Sequence, residues 1–282
     1  MILIQILLKI RKKSQSDLKA DLELSATKMY TSILTTQKQA DLVEQQLELM
    51  IKNRQIAQLR IDNGMAVEGD YQDANISTTE TAATLTQLKA GLSDLKRSLN
   101  DMMGRDLDAP FNLAPYEVSS NVLPAPDITT SSISKATENN YDLYTAKRKL
   151  QNLWDDYYDA DNSTTKDMLY TQIQQQKLVV SKAETSIDTT LKAKADAITN
   201  AGKNFQNAQA SYEKAQKDME YAQMKYDLGM ISQLELEQQK LDLLQKEYNQ
   251  LNASYTYYFS RLVYEYYFNG INLTYYNQLA AM

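Results

Sequence analysis

The sequence contains no cysteine and no histidine, and only 7 glycines and 4 prolines among its 282 residues. Without cysteine there is no disulfide, thiolate nucleophile or zinc–thiolate site; without histidine the commonest general base and metal ligand is missing. Most catalytic constellations are thereby excluded. The chain is read as a non-enzyme with no cofactor and no metal, although carboxylate-only glycosidase chemistry is not excluded by composition. A shortage of glycine and proline means long elements and few turns. There is also no run of roughly 20 apolar residues, the length a spanning helix needs. The apolar start, Met1 to Ile10, is too short, and Lys9 and Arg11 to Lys13 follow the run, where a signal peptide would carry its basic residues in front. The chain as it stands is expected to be soluble.

What is present favours helix. Gln and Asn are frequent, the apolar residues are mostly Leu, Ala, Ile and Tyr, and charges of both signs are abundant along the chain. A formal net charge of -6 and a pI near 4.9 argue against a sequence-independent phosphate-binding surface, which needs clustered Lys and Arg; nucleic acid is not expected as a partner.

Self-similarity organises the chain. Ile56 to Met65, IAQLRIDNGM, matches Tyr221 to Met230, YAQMKYDLGM, at an offset of about 165 residues. Each copy continues as a second helical run that ends at a further glycine, Gly104 in the first and Gly270 in the second. The repeated unit is helix, glycine turn, helix.

Heptads run along both arms of each copy. Before Gly229, large residues recur as Ile198, Phe205, Tyr212, Met219 and Tyr226, with Ala201, Ala208, Ala215 and Ala222 three residues after the first four. Small residues at the second seam position let a neighbouring antiparallel helix approach closely. After the turn, Leu234, Leu241, Tyr248, Tyr255 and Leu262 repeat at the same period, joined by Leu244, Leu251 and Tyr258. In the first copy one arm carries Leu22, Met29, Val43 and Met50 with Ile33, Ala40 and Leu47. The other carries Tyr71, Leu85, Leu92 and Leu99 with Leu88 and Leu95.

The expected fold is all-α: long antiparallel coiled-coil helical hairpins in two internal repeats. Residues 1–104 form the first helix–Gly turn–helix repeat. Residues 105–130, which hold all four prolines, form an extended connector, because proline interrupts helix. Residues 131–282 form the second helical repeat with a C-terminal tail. Within it a helical stretch from about Ser131 to Tyr158 precedes a short polar turn, DADNSTTKD, and then the long helix begins. At about 1.5 Å per residue that helix would be roughly 100 Å long.

This order of elements resembles the TolC-like outer-membrane efflux family. The residues that carry the resemblance are the duplicated turns, above all KYDLGMISQLELEQQKLDLL in the second copy, together with Met103-Gly104, Pro110, Leu123-Pro124, Ala136 and Asp142-Leu143 in series through the connector. It covers about four-fifths of the chain. The resemblance implies a homotrimeric export tunnel in the cell envelope, at the outer membrane or periplasm, or at the cell surface of a single-membrane bacterium. It implies a periplasmic-adaptor-like (membrane fusion) protein and an inner-membrane transporter as partners. It places gate or constriction residues at Asp70 and Glu235, each six residues beyond a turn glycine, and at Tyr226, and adaptor-docking turns at Gly64, Met65, Gly229 and Met230. Two features depart from the family: Ile231 stands where an Arg is frequent, and no strand pair separates the third helical stretch from the long helix. A barrel strand needs about 9 to 11 alternating residues, and the segment around Asp159 to Lys166 cannot supply a pair. The competing reading is a structural coiled-coil or surface-adhesion protein without transport activity.

Other features have plainer explanations. Asp155, Asp156, Asp159 and Asp161 could offer hard oxygen ligands to Ca²⁺, but the stretch lacks the Gly and final Glu of an EF-hand loop and is read as a solvated turn. The tyrosines of YTYYFSRLVYEYYF are expected to pack the hairpin base against the connector or a neighbouring subunit. Gly64 and Gly229 are expected to be helix caps with positive φ, whatever else they do.

Overall fold

Six helices are built by the described residues: α1 (Ile2–Asp62), α2 (Glu68–Met102), α3 (Thr130–Asn139), α4 (Tyr141–Asp159), α5 (Ser163–Asp227) and α6 (Gln233–Phe268). The structure is a computed structural model that describes residues 2–65, 67–271 and 273; for residues 2–13 and 70 it describes the backbone alone. Among the described residues there is no strand, and no helix is long and apolar enough to cross a membrane. The repeat is evident in the helix lengths. The arms before the turns have 61 and 65 residues, and the arms after them 35 and 36.

The chain packs as two compact units, and each takes residues from both sequence copies. One unit is drawn from residues up to Leu24, from Leu123–Gly202 and from Tyr257 onward; the other comprises Ser25–Val122 and Lys203–Thr256.

In the second unit α1 lies between two neighbours. Lys89 pairs with Glu44 at 2.8 Å, and Arg54 donates to Asn75 at 3.0 Å, joining α1 to α2. Lys38 pairs with Glu247 at 2.7 Å, and Lys52 with Glu237 at 2.5 Å, joining α1 to α6. These solvent-exposed or half-exposed pairs set register more than they stabilise. A helix with two neighbours needs two apolar stripes, and α1 has them. Ile33 and Ala40 of the expected seam are buried, but so are Leu42 and Leu49, a second heptad pair that periodic reading of a single seam overlooks. The α2 seam holds as expected, with Leu85 and Leu99 buried and Leu88, Leu92 and Leu95 half-buried.

On α5, Phe205, Ala215 and Ala222 are buried as the heptads require, while Ala208 is half-buried. Ala215→Leu is therefore expected to overpack the seam and cost roughly 1 to 3 kcal/mol, with Ala208→Leu costing less. Thermal melts of the two variants check this ordering.

The proline-containing connector is extended and has no ladder of its own, so its backbone groups need side-chain partners. The second unit supplies them from Tyr255, whose hydroxyl donates to the Tyr116 carbonyl at 3.0 Å, and Tyr30, which donates to Ala114 at 2.7 Å. Asn100 completes the set, its amide donating at 2.9 Å to both Leu107 and Ala109. In the first unit the Tyr257 hydroxyl accepts from the Leu123 N–H at 3.0 Å, and Arg261 donates to the Leu123 and Pro124 carbonyls. The tyrosine-rich segment thus holds the connector, as its composition led one to expect.

Two expectations for the first unit are corrected. Leu22 is 44% exposed and is not a seam residue; Leu24 is buried in its place, two positions on, because the buried face of α1 at this level lies away from the heptad extrapolated from Met29. The stretch from Ser131 to Tyr158 is two helices. Asn140 ends α3 with its N–H on the Thr137 carbonyl, and its side chain accepts from the Leu143 N–H at 2.8 Å to start α4. An Asn side chain that caps the next helix competes with continuing the present one. α4 then packs along α5 through Lys147–Glu184 at 2.7 Å, a Gln176 amide bond to the Ala146 carbonyl at 3.0 Å, and Lys177 set 5.1 Å over the Trp154 ring. The polar turn between them closes within Ala160 to Asn162, and Asn162 caps α5 by accepting from the Thr165 N–H at 2.7 Å.

Candidate functional site: the two glycine turns

Both turns are constructed identically at the helix end. The Gly64 N–H bonds to the Ile61 carbonyl at 2.8 Å and the Met65 N–H to Arg60 at 2.7 Å; in the second copy Gly229 bonds to Tyr226 at 2.8 Å and Met230 to Lys225 at 2.8 Å. These paired bonds define a Schellman cap, which satisfies carbonyls the helix leaves free and requires a left-handed residue at the glycine. Gly64 has φ +68° and Gly229 φ +70°. No atom lies within 4 Å of a Cβ built at either position. Glycine is thus demanded by backbone conformation alone, and the space around both turns is open.

Apolar residues close to both glycines face water. Met65 is 72% exposed and Met230 is 68% exposed, with Val67 and Leu228 similarly bare. Apolar side chains presented at both turns suit contact with another surface better than they suit solvent. Arg60 and Lys225 in the last turns of α1 and α5 complement the negative helix ends.

Of the expected constriction residues, Tyr226 is partly exposed, and its carbonyl is the acceptor for Gly229. Glu235 has a defined local role. Its carboxylate accepts from the Ser232 N–H at 2.7 Å and from the Ser232 hydroxyl at 2.8 Å, while the Ser232 hydroxyl accepts from the Glu235 N–H at 3.2 Å. This is a capping box at the start of α6, and the spacing Ser232-Gln-Leu-Glu235 was a legible signal for it. The backbone bond from Ser232, followed by the hydroxyl, holds the Glu235 carboxyl below its ordinary value of 4.5. Asp70 lies in the first turn of α2, and its side chain is outside the described residues. All seven expected positions belong to the same compact unit.

Because Glu235 binds its proton less tightly in the folded chain than in the unfolded one, its contribution is present above the ordinary carboxylate value and is lost as pH falls through the lowered one. Glu235→Ala is accordingly expected to lower the melting temperature slightly at neutral pH, and the difference from the unaltered chain should narrow in acid. Melting curves at both pH values measure this.

The acidic stretch at the other end of α4 makes no comparable site. Among the described residues no three carboxylates are grouped to hold a metal ion, and Asp155 accepts a hydrogen bond from Gln151 at 2.9 Å.

The architecture has counterparts among solved structures. The chain superimposes on the CmeC outer membrane channel of Campylobacter jejuni with a TM-score of 0.53 at 14% identity, covering 95% of this chain and 67% of that one. It also matches the outer membrane protein VceC of Vibrio cholerae with a TM-score of 0.57 at 12% identity, covering 89% and 70%. The transmembrane channel CusC gives a TM-score of 0.62 at 14% identity, covering 89% and 77%. The fold is that of TolC-like outer-membrane channels. No family model matches the chain, and no curated protein matches it by sequence. At these identities the TolC-like likeness is one of architecture, and it extends over nearly the whole chain. The two sequence repeats and their all-helical hairpins agree with it.

Proposed function

We propose that this chain forms the helical body of an export tunnel in the bacterial cell envelope, acting as a homotrimer at the outer membrane or in the periplasm. Residues 1–104 and 131–282 serve as its two repeats, joined by the 105–130 connector. The supporting observation is the pair of hairpins of matching length, ending in turns of identical construction within one packing unit, on a fold shared with outer membrane channels. In this reading the exposed turns at Gly64, Met65, Gly229 and Met230 dock a periplasmic-adaptor-like protein, which couples the tunnel to an inner-membrane transporter. Mass measurement by light scattering tests the assembly: a particle about three times the 32.2 kDa chain supports the tunnel. A stable monomer would favour a structural coiled-coil or adhesion role.

Asp70, Glu235 and Tyr226 line the constriction in the same reading. A trimer would gather the Asp70 and Glu235 carboxylates into one ring, where like charges repel one another and attract cations. Asp70→Asn combined with Glu235→Gln is expected to reduce cation selectivity and divalent-ion block in a reconstituted channel. Conductance recordings measure this; an unchanged ion preference beside a lowered melting temperature would leave both residues as helix-start carboxylates only.

A further inference from the structure

The second unit contains a groove of about 870 Å³ between α1, the connector, α5 and α6. Pockets of roughly 300 to 1,000 Å³ are the usual size for small organic ligands. Its residues come from four separate stretches of chain, so the groove exists only through tertiary packing. Three tyrosines contribute to the lining. Tyr255 is buried at its base, with its ring 6.1 Å from that of Tyr116; Tyr116 and Tyr212 are half-buried.

The charges in the lining are unbalanced. Lys38 is its one cation among the lining residues and is engaged by Glu247 at 2.7 Å. Asp41, one turn of α1 beyond Lys38, and Glu117 on the connector are both exposed carboxylates on the same groove, and no ion pair among the described residues engages either. Tyr255 adds no charge, because burial pushes its hydroxyl up to about 12. The groove therefore carries aromatic rings and an excess of negative charge.

We infer that this groove binds an organic monocation with an aromatic or alkyl body. Ring faces and edges accept the hydrocarbon part and attract the cationic head through the quadrupole, and the two uncompensated carboxylates add a Coulomb attraction. An anion meets repulsion from Asp41 and Glu117 and finds Lys38 already paired. A divalent metal lacks the three grouped carboxylates it would need, since none are found among the described residues. The inference does not depend on the export reading, because it rests on the lining of a single packing unit.

The test is calorimetric titration of the full chain at neutral pH and low salt with benzyltrimethylammonium, with a neutral phenylacetamide of similar size, and with benzenesulfonate. The expected result is one cation per chain, bound about tenfold or more tightly than the neutral compound, with no binding of the anion. Asp41→Asn together with Glu117→Gln should weaken the cation by about tenfold. Both side chains are exposed, so the fold is retained. Lys38→Met should act in the opposite direction and tighten the cation several-fold, because it releases the Glu247 carboxylate; a purely structural role for Lys38 would not tighten binding. Equal affinity for the neutral compound, an unchanged double variant, weakened binding in Lys38→Met, or no binding up to about 10 mM would each overturn the inference.

Discussion

Gly270→Ala is expected to destabilise the first unit by about 3 kcal/mol or more, while the equivalent change at Gly104 in the other repeat costs only about 1 kcal/mol. The two glycines end corresponding arms and share the same cap, with φ +68° and φ +65°. An alanine at either would suffer the left-handed backbone penalty. They differ in what surrounds them. A Cβ at Gly104 meets no atom within 4 Å, whereas at Gly270 it would stand 2.7 Å from the carbonyl carbon of Asn139 and closer still to its oxygen. That obstacle is backbone at the end of α3, where Asn139 also donates to the Phe268 carbonyl at 3.1 Å, so it cannot move aside as a flexible side chain would. Urea denaturation of the two variants should show a much lower midpoint for Gly270→Ala with a similar slope.

Phe205→Ala is expected to remove about 3 to 5 kcal/mol, the range for deleting a large buried aromatic side chain. Phe205 is 0% exposed, and it stands at the large-residue position of the α5 seam between Ala201 and Ala208. Small neighbours cannot collapse into the space it leaves. The same seam offers an internal control near the turn, where Tyr226 is 37% exposed; Tyr226→Ala should cost under about 1 kcal/mol. Against a total stability of about 5 to 15 kcal/mol for a typical domain, only the first change should threaten folding at ordinary temperature. Chemical denaturation followed by circular dichroism separates the two.

The helical hairpins, the turns and the connector were legible because each rests on local chemistry that periodicity reports. Heptads placed α2, α5 and α6 against neighbours, the glycines after Asn63 and Leu228 ended helices where positive φ was needed, and the prolines kept the connector out of helix. The Ser232–Glu235 capping box was equally local, and its signature spans four residues just after the turn. Partner number was not local. α1 carries the second stripe at Leu42 and Leu49 because α2 and α6 flank it on different sides, and a heptad scan for one seam has no way to count neighbours. The break at Asn140 turned on one amide choosing to cap the next helix, a balance of about 1 kcal/mol that propensity does not resolve.

The sequence by itself determined an all-helical chain of duplicated hairpins, where they turn and which segment connects them, since these follow from backbone conformation and from patterns repeated over a few residues. Only the tertiary structure decided that α1 lies between α2 and α6, that Tyr30, Asn100 and Tyr255 clasp the connector, and that Gly270 faces Asn139 while its counterpart Gly104 faces open space. It likewise brought Asp41, Glu117 and Tyr212 to one groove. Each of these joins residues far apart in the chain, and their meeting depends on which faces of long helices bury together, a collective property of packing that no single segment encodes.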